Sequence, residues 1–185
     1  MRVTISSSSA TTIDEKYYDE SRKVLEYLAD NECDLNWGSA DYSIMGLCYE
    51  VFRDKHRNIY GYTSEKYASD IERLPDATHT VYADTFDLKK NIFNDADLVL
   101  ILPGGTGSIS EFFAYLEEIR SNDKSTKLVL HNVDGQYDAV IALINDMIAK
   151  GFNKESIFDY FKITNTFEEF KEYFDSIKDV NNKGR

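Results

Sequence analysis

The 185-residue chain reads as an α/β protein, a Rossmann-like doubly wound parallel sheet with helices on both faces. Three observations predict it. Short β-branched runs alternate with amphipathic helical stretches along the whole chain, the order that builds a parallel sheet through helical crossovers. Residues 97–102, Asp-Leu-Val-Leu-Ile-Leu, are almost unbroken apolar sequence, and a strand apolar on both faces needs a helix layer on each side. A glycine-rich turn at residues 103–107 follows that run and opens the next helical stretch. Doubly wound folds bind their ligands at such turns, beyond the carboxyl ends of the strands.

Each element has its own signal. Residues 2–6 are short and β-branched and run into four serines, Ser6 to Ser9, which gives a strand and a small-residue loop. Asp14 is placed to cap a helix in which Tyr17, Val24, Leu25 and Leu28 recur at helical spacing. Residues 33–37 read as a second strand. Gly38, Ser39 and Ala40 then turn the chain into a helix with Met45, Cys48 and Val51 inward. Residues 58–63 form a third strand, and residues 64–77 are polar and ambiguous. A strand at 79–83 and a short helix at 86–93 precede the buried strand. After the glycine turn, Ile109, Phe112, Phe113, Leu116 and Ile119 share a helix face. Residues 127–131 are the next strand. Tyr137, Val140, Ile141, Ile144, Met147 and Ile148 make an amphipathic stripe, with Gly151 placed to end its helix. Residues 161–164 read as a last short strand, and Phe167, Phe170, Phe174 and Ile177 as a final helix. The expected organisation is one domain over residues 1–178 and a polar tail at 179–185.

Composition narrows the function classes. With 21 Lys and Arg against 33 Asp and Glu, the net charge is −12. Nucleic-acid binding needs a basic footprint, so it is excluded as an expectation. No apolar run is long enough to span a bilayer, and no basic segment with a signal-length apolar run opens the chain, so the expected location is cytoplasmic, away from membranes. Cys33 and Cys48 lack CxxC spacing and read as buried free thiols. His56, His79 and His131 are too scattered for a metal site, and no metal is expected. The loops at the ligand-binding end of the sheet are residues 6–12, 38–43, 62–64, 84–90, 103–111 and 132–136.

Residues 103–111, Pro-Gly-Gly-Thr-Gly-Ser-Ile-Ser-Glu, carry the chemistry. Glycines let the chain turn with positive φ and let a ligand approach without a Cβ in the way. A helix start leaves free N–H groups and the positive end of the helix dipole, which favour an anion such as phosphate. A tight turn with no ligand is the competing reading. Glu111 lies one turn beyond Ser108 on nearly the same face. Taken alone it reads first as an early-turn acid that stabilises the helix, with a reacting carboxylate as the competing reading. The segment is neither GxGxxG nor a P-loop, which argues against NAD and ATP. Trp37 suits core packing or base stacking, and Asp41 and Tyr42 lie within a ligand-side loop.

The same nine residues resemble the PGGxGTxxE signature of the LOG (Lonely Guy) proteins, which are often labelled lysine decarboxylases. The resemblance extends over roughly residues 2–165. The serines from Ser6 to Ser9 resemble the family's CGSS-type opening. The stretch from Gly38 to Gly46 resembles its GGGxxGLMG turn. Asn132-Val-Asp-Gly-Gln-Tyr137, with Gly151 and Phe152, resembles its NVDGYYD…GF segment. The family is one of cytokinin riboside 5′-monophosphate phosphoribohydrolases. The resemblance therefore implies hydrolysis of the N-glycosidic bond of a purine nucleoside 5′-monophosphate such as AMP, with N6-modified adenine among the candidate bases. It implies no cofactor and a homodimer. It assigns Gly104, Gly105, Thr106, Gly107, Ser108, Gly38, Ser39, Met45 and Ser8 to substrate binding and Glu111 to catalysis. The family's Arg-Lys pair falls on Leu88 and Lys89, with Lys90 a second candidate for the missing cation, so Lys89 and Lys90 join Glu111 as candidate catalytic residues. Lysine offers a mobile point charge where arginine offers a planar fork. Because of Leu88, a nucleotide-binding module without hydrolysis is the alternative, and a nucleoside deoxyribosyltransferase-like enzyme ranks third.

Overall fold

The computed structural model describes residues 1–122 and 124–183. Seven strands, β1 (Arg2–Ser6), β2 (Asp34–Trp37), β3 (Ile59–Ser64), β4 (Thr78–Tyr82), β5 (Leu98–Ile101), β6 (Lys127–His131) and β7 (Lys162–Thr164), form one sheet in the order β4-β3-β2-β1-β5-β6-β7. Every neighbouring pair is parallel. The helices are α1 (Glu15–Asp30), α2 (Ser43–Asp54), α3 (Thr85–Asn94), α4 (Thr106–Asn122), α5 (Asp138–Ala149) and α6 (Phe167–Lys183). The ambiguous stretch contains a 3-10 segment, Glu65–Arg73. The doubly wound parallel sheet expected from the alternation is the fold the chain adopts.

Two apolar layers sandwich the sheet. Val3, Ile5, Leu98, Leu100 and Leu102 point to one face and pack with residues of α1, α2 and α6, among them Val24, Leu47, Phe170 and Phe174. Val99, Ile101, Leu128 and Leu130 point to the other and pack with Phe93 of α3, Phe112 and Leu116 of α4 and Ile144 of α5. This is the period-two alternation of a strand expressed on both sides. It explains why all four residues of β5, at the middle of the sheet, are fully buried. Asp14 caps α1, accepting from the Lys16 N–H at 3.0 Å. Gly151 follows α5 with φ of 79°, the left-handed stop its position predicts.

The structure adds detail to two expectations. The α5 stripe is only partly covered: Val140 and Ile144 are buried, while Ile141, Met147 and Ile148 are half-buried. Helical backbone also continues past residue 178, to Lys183, into the segment read as a polar tail; residues 184–185 of that tail lie outside the described residues.

Cys33 and Cys48 are buried and unpaired, and burial pushes their thiols up to about 11 and 12. Among the described residues no helix is long and apolar enough to cross a membrane. His131, at the end of β6, is fully buried, with Nδ1 2.8 Å from Thr164 Oγ1 and Nε2 without a partner. Burial pulls its pKa down to about 4, against the opposing charges of Glu20 and Glu169. The native state therefore holds this imidazole neutral while the unfolded chain protonates it near 6.5. Its contribution to stability is present above about pH 6.5 and is lost as the pH falls toward 4. Urea unfolding across that range is expected to show a decline that flattens in His131→Asn, which cannot take up the proton.

Candidate functional site

Strand order reverses between β1 and β5, where the chain has wound outward to β4 on one side and continues to β7 on the other. Their carboxyl ends lie together, Ser6 opposite Ile101. The loops leaving them part and open a cleft of about 300 Å³, lined by Ser6 to Ala10, Gly105 to Ser108 and Glu111, together with Ile5, Gly38, Met45, Leu88 and Ile92. This is the topological switch point at which open parallel sheets bind ligands. Two roomier hollows, of about 530 and 560 Å³, lie beside Met1 and Asp97 and beside Arg57 and Ile59, at the opposite end of the strands.

The glycine turn works by close approach rather than by unusual dihedrals. None of Gly104, Gly105 and Gly107 takes positive φ, contrary to the expectation from sequence. A Cβ on Gly104 would stand 2.1 Å from Ser108 Oγ, 2.7 Å from Ser108 Cβ and 3.3 Å from the carbonyl carbon of Ser7. Gly105 and Gly107 face open space. The first helical bond of α4 runs from the Ile109 N–H to the Gly105 carbonyl at 3.1 Å. The amides of Thr106, Gly107 and Ser108 therefore precede any intrahelical acceptor and point out of the helix start. Gly104→Ala is expected to cost about 1–3 kcal/mol in urea unfolding, because Ser108 is fixed by the helix and cannot yield. Gly105→Ala, with nothing near the new methyl, is expected to stay within about 0.5 kcal/mol of the parent.

Neighbouring loops brace this turn. The Ser8 N–H donates to the Pro103 carbonyl at 2.9 Å, and the Leu102 N–H donates to the Ser6 carbonyl at 2.9 Å. Gln136 Nε2 donates to the Gly104 carbonyl at 2.7 Å, and the Tyr137 hydroxyl donates to the Leu102 carbonyl at 2.7 Å. The Asn132 carboxamide oxygen accepts from the Tyr137 N–H at 2.6 Å and fixes that loop in turn.

Glu111 projects from the second turn of α4 and is half-buried in the cleft wall. The Ser6 hydroxyl donates to its Oε2 at 2.5 Å. Burial pushes the Glu111 carboxyl above its usual 4.5, while the Ser6 hydroxyl and the Lys89 charge pull it back. Lys89 Nζ lies 3.2 Å from Ser110 Oγ. Tyr115, one turn further on, is buried with its hydroxyl unpartnered, and burial together with the Glu111 charge holds the phenol well above its usual range.

The residues singled out from sequence divide clearly. Gly105, Thr106, Gly107, Ser108, Glu111, Gly38, Met45 and Ser8 all line the cleft. Gly104 lies buried beneath it. Ser39 is turned away: its hydroxyl is 3.1 Å from His79 Nδ1, and the residue has φ of 52°. Lys90 is exposed and outside the lining. Trp37 is fully buried, stacked on Tyr49, and so belongs to the core rather than to base stacking. Asp41 is occupied by Arg73 at 2.5 and 3.1 Å. Sequence reasoning gave no individual role to Ser6, Gln136 or Tyr115. Ser6 had one usable signal, its place as the last residue of a strand in a parallel sheet. Among the described residues no group of three His, Cys, Asp or Glu side chains is arranged around a common metal position.

Known proteins resemble this chain in sequence and in fold. A family model described as "Possible lysine decarboxylase" matches residues 45–174. A cytokinin riboside 5′-monophosphate phosphoribohydrolase of Arabidopsis thaliana is 25% identical over 148 residues, covering 80% of this chain and 68% of that protein. A second Arabidopsis thaliana protein of that name is 23% identical over 192 residues, covering 97% of this chain and 79% of the relative. One from Oryza sativa subsp. japonica is 23% identical over 155 residues, covering 83% of this chain and 64% of the relative. Among solved structures, the molybdenum cofactor binding protein of Rippkaea orientalis superposes with a TM-score of 0.69 at 13% identity, covering 95% of this chain and 96% of the other. The molybdenum cofactor carrier protein of Chlamydomonas reinhardtii gives 0.65 at 10% identity, covering 95% and 96%. At those identities the structural likeness is one of fold alone.

Proposed function

The chain belongs to the LOG-type family whose model is described as "Possible lysine decarboxylase", and from that premise we propose that it hydrolyses the N-glycosidic bond of a purine nucleoside 5′-monophosphate to free base and ribose 5-phosphate. One observation carries the reading: the Glu111 carboxylate opens into the cleft, held by Ser6, one turn from the free amides at the start of α4. In this reading those amides and the hydroxyls of Thr106 and Ser108 take the 5′-phosphate and set the ribose over Glu111. Breaking the bond builds positive charge at the anomeric carbon. A carboxylate below the ring stabilises that charge and steers water. The water oxygen bonds to the anomeric carbon, the glycosidic electron pair leaves with the base, and the base ends protonated. Lys89 acts from the edge, through Ser110 and through its field on Glu111. AMP and N6-substituted AMP are the proposed ligands. A cytoplasmic homodimer completes the reading, with exposed Leu143 and Phe152 available to an interface.

A second reading, nucleotide binding without hydrolysis, is favoured by Leu88, which lines the cleft where the family's arginine is expected. A base-transferring enzyme is the third. Incubation with AMP and with N6-isopentenyl-AMP, followed by assay of free base and ribose 5-phosphate, separates them. Release of both products supports the hydrolase. Saturable binding with no release supports the second reading, and a new nucleotide formed only when an acceptor base is added supports the third.

A further inference from the structure

Among the described residues, Glu111 is the only charged side chain lining the cleft. Its ionised form is therefore unusually dependent on its immediate partners. The groups that face it can be named: Lys89 from α3, Tyr115 from its own helix, Tyr137 at the start of α5 and Ser6 from β1. Both phenols are held up by burial and stay neutral. Lys89 shares its ammonium with Ser110. Among the described residues only Ser6 makes a direct hydrogen bond to it, at 2.5 Å, within the range of a charge-assisted O–H to carboxylate contact.

Ser6 is built for that contact. Thr4 and Ser6 alternate on β1 and face the same side of the sheet. The Thr4 hydroxyl is spent on the Ile92 carbonyl at 2.7 Å, whereas that of Ser6 is spent on Glu111. Ser6 is buried, paired with Ile101 of β5, and its carbonyl accepts from the Leu102 N–H. Two central strands thus fix the donor, while the acceptor rides on a helix.

We propose that Ser6 is a positioning residue for Glu111, fixing the direction of its carboxylate through their direct hydrogen bond and favouring its charged form in a cleft whose described lining residues include no cation. The proposal rests on the reading of Glu111 as the reacting group, but its test does not depend on turnover. The test is a pH titration of the ¹³C-carboxyl signal of Glu111 in the full chain, the signal being identified by its loss in Glu111→Gln. Ser6→Ala is expected to move the midpoint up by about one pH unit or more, a tenfold gain in proton affinity. Ser6→Thr, which keeps the hydroxyl, is expected to restore it. Should Ser6→Ala fail to fold, Ser6→Cys keeps the volume with only a weak donor and is expected to move the midpoint in the same direction. A midpoint unchanged in the folded variant overturns the proposal, even if melting temperature falls, since lost packing alone lowers stability without touching this titration. If the parent protein releases no base from AMP, the hydrolase reading fails while the titration still decides the role of Ser6. If it does release base, the acid limb of kcat is expected to move up with the midpoint.

Discussion

Glu111→Gln is expected to lower base release from AMP by about 10²-fold or more, the scale on which a single charge-stabilising group acts. The substitution keeps the shape of the side chain and leaves an amide oxygen that can still accept from Ser6. It removes the negative charge that would face the anomeric carbon. Burial already disfavours the ionised carboxyl at this position, so a neutral amide is not expected to weaken the fold. Affinity for AMP is expected to hold, because the phosphate is assigned to the amides at the start of α4. The check is a paired measurement, steady-state release of ribose 5-phosphate and calorimetric titration with AMP. A parental rate in the variant would remove the carboxylate from the mechanism. The raised carboxyl also sets the sign of the pH profile. If the ionised form is needed, activity is lost on acidification at a pH above the ordinary glutamate range.

Phe112→Ala is expected to cost about 3–5 kcal/mol of stability, the usual range for deleting a fully buried aromatic ring. Phe112 follows Glu111 directly and points the other way, into the apolar layer under α4. Its ring is edge-on to Phe161 at 5.0 Å and to Phe113 at 5.1 Å. The cavity left by alanine would be walled by Phe161 and by strand residues that cannot collapse into it. Against a typical domain stability of about 5–15 kcal/mol, this is a severe loss. Urea unfolding measures it, and a change below about 1 kcal/mol would show that α4 is not anchored by this ring.

Much of the fold was legible because the signals are local and repeated. Residues 97–102 announced a strand buried on both faces, and β5 is that strand. Asp14 and Gly151 mark a helix start and stop through the chemistry of one residue each. The stripe after Tyr137 told which side of α5 is apolar but not how much of it a neighbour covers, since periodicity carries no information about the opposing surface. The site was legible where it is one continuous segment, from Gly104 to Glu111. It was illegible where it depends on residues far apart in the chain. Ser6 and Glu111 are 105 positions apart and meet only because β1 and β5 are neighbours. The surroundings of Ser39 were hidden for the same reason: nothing next to it in sequence reveals that its hydroxyl meets His79, 40 positions on.

The absence of lysine, arginine and histidine from the cleft wall, among the described residues, bears on how an anion would reach it. A phosphate monoester approaching a chain of net charge −12 meets repulsion at long range, and attraction begins only within reach of the backbone amides. Encounter is therefore unsteered. Added electrolyte, by shortening the Debye length, would quicken capture instead of slowing it, the reverse of what a basic pocket does.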